Sequence, residues 1–235
     1  MSDRADPAAP APGAYRIAYE DEHLLVVDKG PGLVVHPARG HTQSTLSQLL
    51  AGSARGGDPE RAGIVHRLDR DTSGLLVVAR GEEAHRRLRL ALSKRQIERE
   101  YLALVKGRPP ARTGTIEAPI GRDPRARTRM AIGGAAARQA RTHFHIERAL
   151  AGTTLLRLRL ESGRTHQIRV HLRAIGDPVC GDREYGVAGV LGLERQFLHA
   201  CRLAFDHPLT GARVDVRSPL PDDLQRALSR AERLS

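Results

Sequence analysis

The stretch HRLDRDTSG at residues 66–74 runs directly into the apolar run LLVVA at residues 75–79. The first nine residues hold two carboxylates, two guanidinium groups, an imidazole and a Thr-Ser-Gly turn, and the next five are typical of a buried strand. A packed strand holds the residues of an adjoining loop in one geometry. The stretch therefore predicts a functional loop at the edge of a sheet.

The chain is strongly basic. Among its 235 residues, 38 Lys and Arg stand against 27 Asp and Glu, which gives a net charge of +11 and a pI near 10.8. Such a balance is typical of proteins that bind a polyanion, most often nucleic acid. A GC-rich genome favours arginine over lysine, but it does not explain the net excess. With four Tyr, three Phe and no Trp, the chain has few rings for base stacking, so we expect arginines to make most contacts.

The sequence also bears on the compartment. No apolar run reaches the roughly 20 residues that span a bilayer, and the N-terminus lacks the pattern of a secretory signal. The two cysteines, Cys180 and Cys201, fit a reducing compartment and leave a disulfide between them open. We expect a cytoplasmic protein that does not enter a membrane.

The spacing of apolar residues predicts one mixed α+β domain over residues 15–221. A disordered leader rich in Ala and Pro precedes it at 1–14, and a C-terminal helix or tail follows at 222–235. The expected strands are 15–19, 24–27, 75–79, 99–106, 139–148, 153–161 and one or two within 199–221, and 33–35 is also expected to be extended. The expected helices are 43–50, 82–95, 164–175 and 222–234, and the Gly- and Pro-rich stretches 51–63 and 107–128 lie between elements.

Asp69 and Asp71 are the carboxylates of the 66–74 stretch. Two neighbouring carboxylates suggest a glycosidase-like acid and base pair, but Asp71 directly precedes Thr-Ser-Gly, where aspartate commonly bonds the backbone of a turn. We therefore favour a turn role for Asp71. Asp69 is flanked by Arg67 and Arg70, and nearby positive charge keeps a carboxylate ionised. Because an ionised aspartate suits a nucleophile or a general base, Asp69 is the main catalytic candidate.

A second polar cluster lies at GRTHQIRVH, residues 163–171. On the predicted helix, His166 and His171 are about 140° apart around the axis, so we do not expect them to share a metal ion. The start of this helix is rich in hydrogen-bond donors: Arg164, His166, Gln167 and Arg169. Such a surface suits a phosphate or carboxylate partner. The alternative is that these arginines are ordinary solvated surface charges.

Tyr101 lies in a third segment, REYLALV at residues 99–105. Taken alone, this segment is an ordinary strand with a half-buried tyrosine. The Gly-x-Gly at residues 30–32 follows its lysine instead of preceding it, so we exclude a P-loop. No set of Cys, His and carboxylates stands at zinc-site spacing, so we expect no metal.

Together the three segments resemble the RluA family of pseudouridine synthases, and within it the RluD-like branch. The family patterns HRLD-x-x-TSG, K/R-x-Tyr and GR-S/T-HQ-I/L-RVH are present at residues 66–74, 99–101 and 163–171. Flanking segments match as well, so the resemblance extends in the same order over roughly residues 15–220. Many members carry a small RNA-binding domain before the catalytic domain. Only about 14 residues precede the first predicted strand here, so we expect this chain to lack that domain.

The resemblance implies an α+β pseudouridine-synthase fold, with a central, mostly antiparallel mixed sheet flanked by helices and loops and a catalytic cleft. It implies isomerisation of uridine to pseudouridine in folded RNA without metal or cofactor, because the freed base is retained and reused. Asp69 matches the catalytic aspartate, which attacks the sugar or the uracil ring, and Tyr101 matches a tyrosine that stacks on the target base and takes part in proton transfer. Arg169 matches the arginine that pairs with the aspartate. Arg67 matches the residue that enters the RNA stack where the uridine has flipped out.

The resemblance also implies further substrate-binding residues: His66, Thr72, Arg164, His166 and Gln167. The expected partner is RNA, first large-subunit ribosomal RNA and alternatively transfer RNA, and the protein is expected to act as a monomer. A rival interpretation is a non-catalytic RNA-binding or ribosome-assembly factor, which the basic charge fits equally well. Asp69 argues against the rival, because a carboxylate that faces phosphates weakens binding.

Overall fold

The computed structural model of the protein describes residues 11–37, 44–126 and 128–234. These residues fall into two compact units. Unit one contains the described residues up to Arg99 together with Ala200–Pro221, and unit two contains Glu100–His199 and the described residues from Asp222 onward. Helices and strands occur in both units, which confirms the predicted α+β class.

Strands are more numerous than helices, and the middle of the chain is a run of consecutive strands. The strands are β1 (Tyr15–Glu20), β2 (Leu24–Lys29), β3 (Ser73–Ala79), β4 (Glu98–Lys106), β5 (Thr113–Glu117), β6 (Ile120–Arg122), β7 (Met130–Ile132), β8 (Ala135–Arg138), β9 (Arg141–Leu150), β10 (Thr153–Leu160), β11 (Leu198–Asp206) and β12 (Arg213–Arg217). The helices are α1 (Leu46–Leu49), α2 (Glu82–Ser93), α3 (Gln167–Ala174) and α4 (Asp222–Arg233).

Unit one is built on apolar strands. β2 pairs antiparallel with β1 on one side and with β3 on the other, and β12 pairs antiparallel with β11. All residues of β2 and β3 are buried, which explains why their sequences are apolar runs without alternation. Ala84 and Leu88 of α2 pack into the core that these strands form with Phe205 of β11. The loop that precedes β3 therefore ends in the buried centre of this unit.

Unit two contains two sheets. β4, β10, β9 and β5 lie side by side in antiparallel order, and β6 lies between β7 and β8 in a separate three-stranded sheet. α3 is buried over Gln167–Leu172. α4 begins with two aspartates and ends with arginines, as the helix dipole favours. Arg195 anchors its start through two hydrogen bonds to Asp223, at 2.7 and 3.0 Å.

Most predicted elements are confirmed, with small shifts at their ends. The strands expected at 15–19, 24–27, 75–79, 99–106, 139–148 and 153–161 are β1, β2, β3, β4, β9 and β10, and the helices expected at 82–95 and 222–234 are α2 and α4. Residues 1–10 of the predicted leader and the first residue of the predicted helix 43–50 lie outside the described residues. Residues 11–14 are hydrogen bonded to the turn at Gly30 and Pro31.

The structure differs from the sequence-based expectation in three places. The helix expected at 164–175 begins only at Gln167, because His166 adopts a left-handed backbone with φ +55° that ends helical geometry. Residues 33–35, which we expected to be extended, belong to no strand; a bend begins at Val35, and the carbonyls of Val34 and Val35 accept hydrogen bonds from the start of α1. The stretch 107–128 contains β5 and β6, which the sequence did not predict. β5 is largely exposed and β6 has only three residues, so neither leaves a recognisable apolar pattern.

Candidate active site

Asp69 lies in a tight turn that leads into β3. The N–H of Thr72 donates to the carbonyl oxygen of Asp69 at 3.1 Å and closes the turn, and Thr72 and Ser73 are buried behind it. Gly74 has φ +108°, and a Cβ there would lie 2.2 Å from the carbonyl oxygen of Ala200, so the position requires glycine. Asp69 itself is partly exposed. The structure thus holds a partly exposed aspartate on a rigid base.

Lys29, at the end of β2, supports the same turn. Its side chain is fully buried, and its ammonium donates to the carbonyl oxygens of Gly30 and Arg70, both at 2.9 Å. A buried charge is tolerated only where hydrogen bonds replace its water, so this contact fixes the peptide next to Asp69. Lys29 is not among the predicted site residues. The signal that points to it is a lysine at the end of an apolar strand, directly before a Gly-Pro-Gly turn.

Asp71 is engaged by its neighbour Arg70. The guanidinium donates to the carboxylate at 2.9–3.2 Å, and this hydrogen bonding raises the pKa of Arg70. Asp71 therefore has a cation of its own within the loop, whereas a glycosidase pair needs both carboxylates directed at the substrate. This arrangement is compatible with the structural role that the sequence predicts for Asp71.

The imidazole of His66 is hydrogen bonded to β3. Its Nε2 accepts from the backbone N–H of Val77 at 3.2 Å, and burial, with a contribution from the charge of Arg99, lowers its pKa to about 3. The ring is therefore neutral at pH 7 and ties the loop to the strand. A direct contact of His66 with substrate stays a prediction.

Arg67 is exposed on the same loop. Its Nη1 lies 3.0 Å from Nε2 of His36, a buried residue 31 positions earlier in the chain. Burial lowers the pKa of His36 to about 4, and the charges of Arg67 and Arg61 act in the same direction. Unit one thus brings four predicted site residues onto one loop and adds two that were not predicted: His66, Arg67, Asp69 and Thr72, with Lys29 and His36.

In unit two, Gln167 organises the start of α3. Its Oε1 accepts from the hydroxyl of Ser162 at 2.9 Å and from the N–H of Arg164 at 3.0 Å. Its Nε2 donates to the carbonyl of Arg141 and to the hydroxyl of Thr142, at 3.1 and 3.0 Å. All four hydrogen-bonding positions of this buried amide are used inside the protein. Gln167 therefore fits a structural role better than direct contact with RNA.

Arg169 lies on α3 and is held by carboxylates. Its Nε and Nη2 donate to the two oxygens of Asp182 at 2.7 and 2.9 Å, and Nη2 also donates to Glu184 at 3.2 Å. Asp182 is fully buried and also accepts from the backbone N–H groups of Glu184 and Tyr185. Burial alone would raise the pKa of Asp182, but these hydrogen bonds and the charge of Arg169 hold it below its usual value. Pairing of Arg169 with Asp69 stays a prediction.

Tyr185 connects Arg169 to the residue before α3. The guanidinium of Arg169 lies over its ring, 4.8 Å from the centroid. Its hydroxyl lies 2.8 Å from Nδ1 of His166 and accepts from the N–H of Met130 at 2.8 Å. Burial raises the pKa of Tyr185 to about 12, so its hydroxyl stays protonated at pH 7 and remains hydrogen bonded to His166. The left-handed backbone of His166 is therefore stabilised by a side-chain contact, as is common at functional sites.

The remaining predicted residues of unit two are Arg164 and Tyr101. Nε of Arg164 donates to the carbonyl of Gln139 at 3.1 Å, and burial lowers the pKa of Arg164. Tyr101 lies on β4 opposite Leu158 and is nearly buried. The acidic and aromatic residues that hold Arg169 are not among the predicted ones, and the signal that points to them is the polar run GDREYG at 181–186.

Across residues 11–37, 44–126 and 128–234, no group of three or more His, Cys, Asp or Glu is placed to hold a metal ion. Within the same residues, no helix has the length and apolar character needed to cross a membrane. Cys180 and Cys201 are both buried and are not joined in a disulfide.

Comparison with known proteins gives matches over most of the chain. The RNA pseudouridylate synthase family matches residues 23–174. A Nitrosomonas europaea protein named ribosomal large subunit pseudouridine synthase D is 46% identical over 222 residues, which cover 91% of this chain and 64% of that protein. A Chloroflexus aurantiacus protein named uncharacterized RNA pseudouridine synthase is 52% identical over 206 residues, which cover 86% of this chain and again 64% of the relative, so the chain spans less than two thirds of both. Human RNA pseudouridylate synthase domain containing 4 shares the fold, with a TM-score of 0.74 at 24% identity over 92% of each chain.

Proposed function

The chain belongs to the RNA pseudouridylate synthase family, and on that premise we propose that it isomerises uridine to pseudouridine within a folded RNA. The observation that carries the proposal is the support of Asp69. Thr72 closes its turn, Lys29 holds the adjoining peptide, and Gly74 lets the chain enter β3 without a clash. Such support keeps a reactive side chain in a productive geometry.

The reaction needs bond exchange without any change of oxidation state. The glycosidic bond from N1 of uracil to C1′ of the ribose breaks, and a bond from C5 to C1′ forms. C5 loses its hydrogen to solvent and N1 gains one, so the atoms balance without a co-reactant. In the proposed mechanism the Asp69 carboxylate attacks the ribose or the uracil ring and holds the intermediate while the base turns.

The other predicted residues take supporting roles in this proposal. Tyr101 stacks on the target base and takes part in proton transfer, and Arg169 pairs with Asp69. Arg67 is exposed on the loop of Asp69, and we propose that it enters the RNA stack at the place that the flipped uridine leaves. Arg164 and His166 are the proposed RNA contacts of unit two.

We further propose large-subunit ribosomal RNA as the substrate, with transfer RNA as the alternative. The support is the name of the Nitrosomonas europaea relative, ribosomal large subunit pseudouridine synthase D. We also propose that the enzyme is cytoplasmic and acts as a monomer. Mapping pseudouridines in total RNA from cells with and without this gene identifies the modified uridine.

Asp69→Asn tests the catalytic assignment. With in vitro transcribed large-subunit ribosomal RNA tritiated at uridine C5, we expect tritium release to fall at least about a thousandfold, because the nucleophile is lost. Filter binding of the same RNA should persist. The matched control is Asp71→Asn, the same change in an exposed pair two residues away, which should stay within a few-fold of wild type. Full activity of Asp69→Asn would refute the assignment, and tight binding by an inactive wild type would favour the non-catalytic rival.

A further inference from the structure

Arg67 is exposed, yet its guanidinium is not left to rotate freely in solvent. Nη1 lies 3.0 Å from Nε2 of His36. Only 7% of the surface of His36 is exposed, so the imidazole lies below the surface on which Arg67 is presented. A long exposed arginine otherwise samples many rotamers, and ordering it on binding carries an entropic cost.

The backbone that carries His36 is itself fixed. The two preceding carbonyls, of Val34 and Val35, accept from the N–H groups of Leu46 and Ser47 at 2.8 and 2.9 Å, at the start of α1. Val35 is buried. The imidazole is therefore attached to a fixed backbone. The hydrogen bond that Arg67 donates to it restricts the guanidinium as well.

The chemistry of the contact defines the tautomer. A guanidinium has only donors, so Nε2 of His36 must accept and the ring proton must lie on Nδ1. That Nδ1 is buried and has no hydrogen-bond partner among the described residues. Burial lowers the pKa of His36 to about 4, which agrees with a neutral ring at pH 7.

A neutral acceptor has a consequence that a carboxylate would not have. An aspartate or glutamate at this position would orient Arg67 but would also cancel its charge and repel phosphate. His36 orients the guanidinium and leaves its full positive charge available to RNA. Arg67 itself remains exposed on the loop of Asp69.

We propose that His36 is a positioning residue that holds Arg67 in the orientation needed to enter the RNA stack. This inference rests on the proposed function. It predicts that His36 affects the step in which the uridine flips, more than it affects overall affinity for RNA. It also predicts that the effect of His36 passes entirely through Arg67.

The test is a double-mutant cycle on kcat and KM, read as tritium release from transcribed large-subunit ribosomal RNA. His36→Leu removes the acceptor, and we expect kcat to fall about tenfold to a hundredfold, as for the loss of one hydrogen bond to a charged group, with KM nearly unchanged. His36→Gln offers an amide oxygen near the place of Nε2 and should recover most of the loss. In an Arg67→Ala background, His36→Leu should have no further effect.

Several outcomes would overturn the inference. Equal losses from His36→Leu with and without Arg67 would mean that His36 acts elsewhere, and so would a His36→Gln variant that is folded yet as slow as His36→Leu. Circular dichroism of each variant identifies any that is unfolded, and His36→Gln then decides the question alone.

A measurement on the RNA-free wild-type protein separates this inference from the proposed function. The ¹⁵N resonances of the His36 side chain at pH 7 should show the proton on Nδ1. The opposite tautomer or a doubly protonated ring would overturn the contact whatever the activity. An inactive wild type with the expected tautomer would instead refute the proposed function, and with it the role in flipping.

Discussion

Asp182→Asn is the most informative test of the Arg169 site, because the two residues share a buried bidentate ion pair. Side-chain exposure is 0% for Asp182 and 8% for Arg169. Oδ2 of Asp182 accepts from Nε of Arg169 at 2.7 Å, and Oδ1 accepts from Nη2 at 2.9 Å and from two backbone N–H groups. Asparagine has the same shape and can keep an oxygen for the backbone groups. Its NH₂ group then faces Nε of Arg169, so two hydrogen-bond donors oppose each other in place of the ion pair.

The expected cost follows from burial. Breaking a buried pair leaves one charge without its partner, which costs about 3–5 kcal/mol. Glu184 lies 3.2 Å from Arg169 and moderates that cost, so we expect the lower half of this range. At about 2–4 °C per kcal/mol for a chain of this size, the melting temperature should fall by roughly 6–16 °C.

Asp215→Asn is the matched control, because Arg202 and Asp215 form the same bidentate pair at the surface. The two hydrogen bonds measure 2.8 and 2.6 Å, but side-chain exposure is 17% for Arg202 and 37% for Asp215. Exposed pairs contribute about 0–1 kcal/mol, so thermal and urea unfolding followed by circular dichroism should show a small change. Equal losses from Asp182→Asn and Asp215→Asn would refute the assignment of the cost to burial, and so would a loss below about 1 kcal/mol for Asp182→Asn.

Two further predictions concern the loop before β3. Gly74→Ala should unfold unit one or displace the loop, because the new Cβ would meet the backbone of Ala200 at 2.2–2.7 Å; a folded variant with wild-type melting temperature would contradict this. The free energy of unfolding should fall on acidification, because the pKa of His66 is about 3 in the folded chain and near 6.5 when unfolded. The contribution of His66 to the free energy of unfolding is complete above about pH 6.5. It is lost towards pH 3, at up to about 1.4 kcal/mol per pH unit. Urea titrations at pH 7, 6 and 5 should show this slope, and His66→Gln should reduce it; an unchanged slope would count against a buried neutral ring.

The sequence predicts the core of this fold well because its strands are buried. β2 and β3 contain unbroken apolar runs at residues 24–27 and 75–79, and α2 has an apolar face with acidic residues in its first turn. Local composition is enough to identify such elements, since burial forces the pattern. Strands that are short or exposed leave no such pattern. β7 and β8 have three and four residues, none of them buried, and only pairing with β6 makes them strands.

The site is predictable where one short segment carries it. Asp69 is predicted as the catalytic residue from its own neighbours in the chain. Lys29 contacts Arg70, which lies 41 positions later, and His36 contacts Arg67, which lies 31 positions later. No local pattern links Lys29 or His36 to that loop. The start of α3 is missed for a related reason. Residues 164–166 look helical by composition, but the left-handed backbone of His166 is accompanied by a contact with Tyr185, 19 residues later.

The two arginines of the proposed site differ in what surrounds their charge, and this bears on their roles. Arg169 is buried and bonded to the carboxylates of Asp182 and Glu184, so its charge is largely cancelled within the protein and an incoming phosphate would gain little from it. Arg67 is exposed and rests on the neutral ring of His36, so its charge is retained. A donor-rich start of α3 suggested a phosphate site at Arg169, but charge pairing favours Arg67 for contact with RNA. Arg169 is better suited to holding the neighbouring protein groups Asp182, Glu184 and Tyr185 in place.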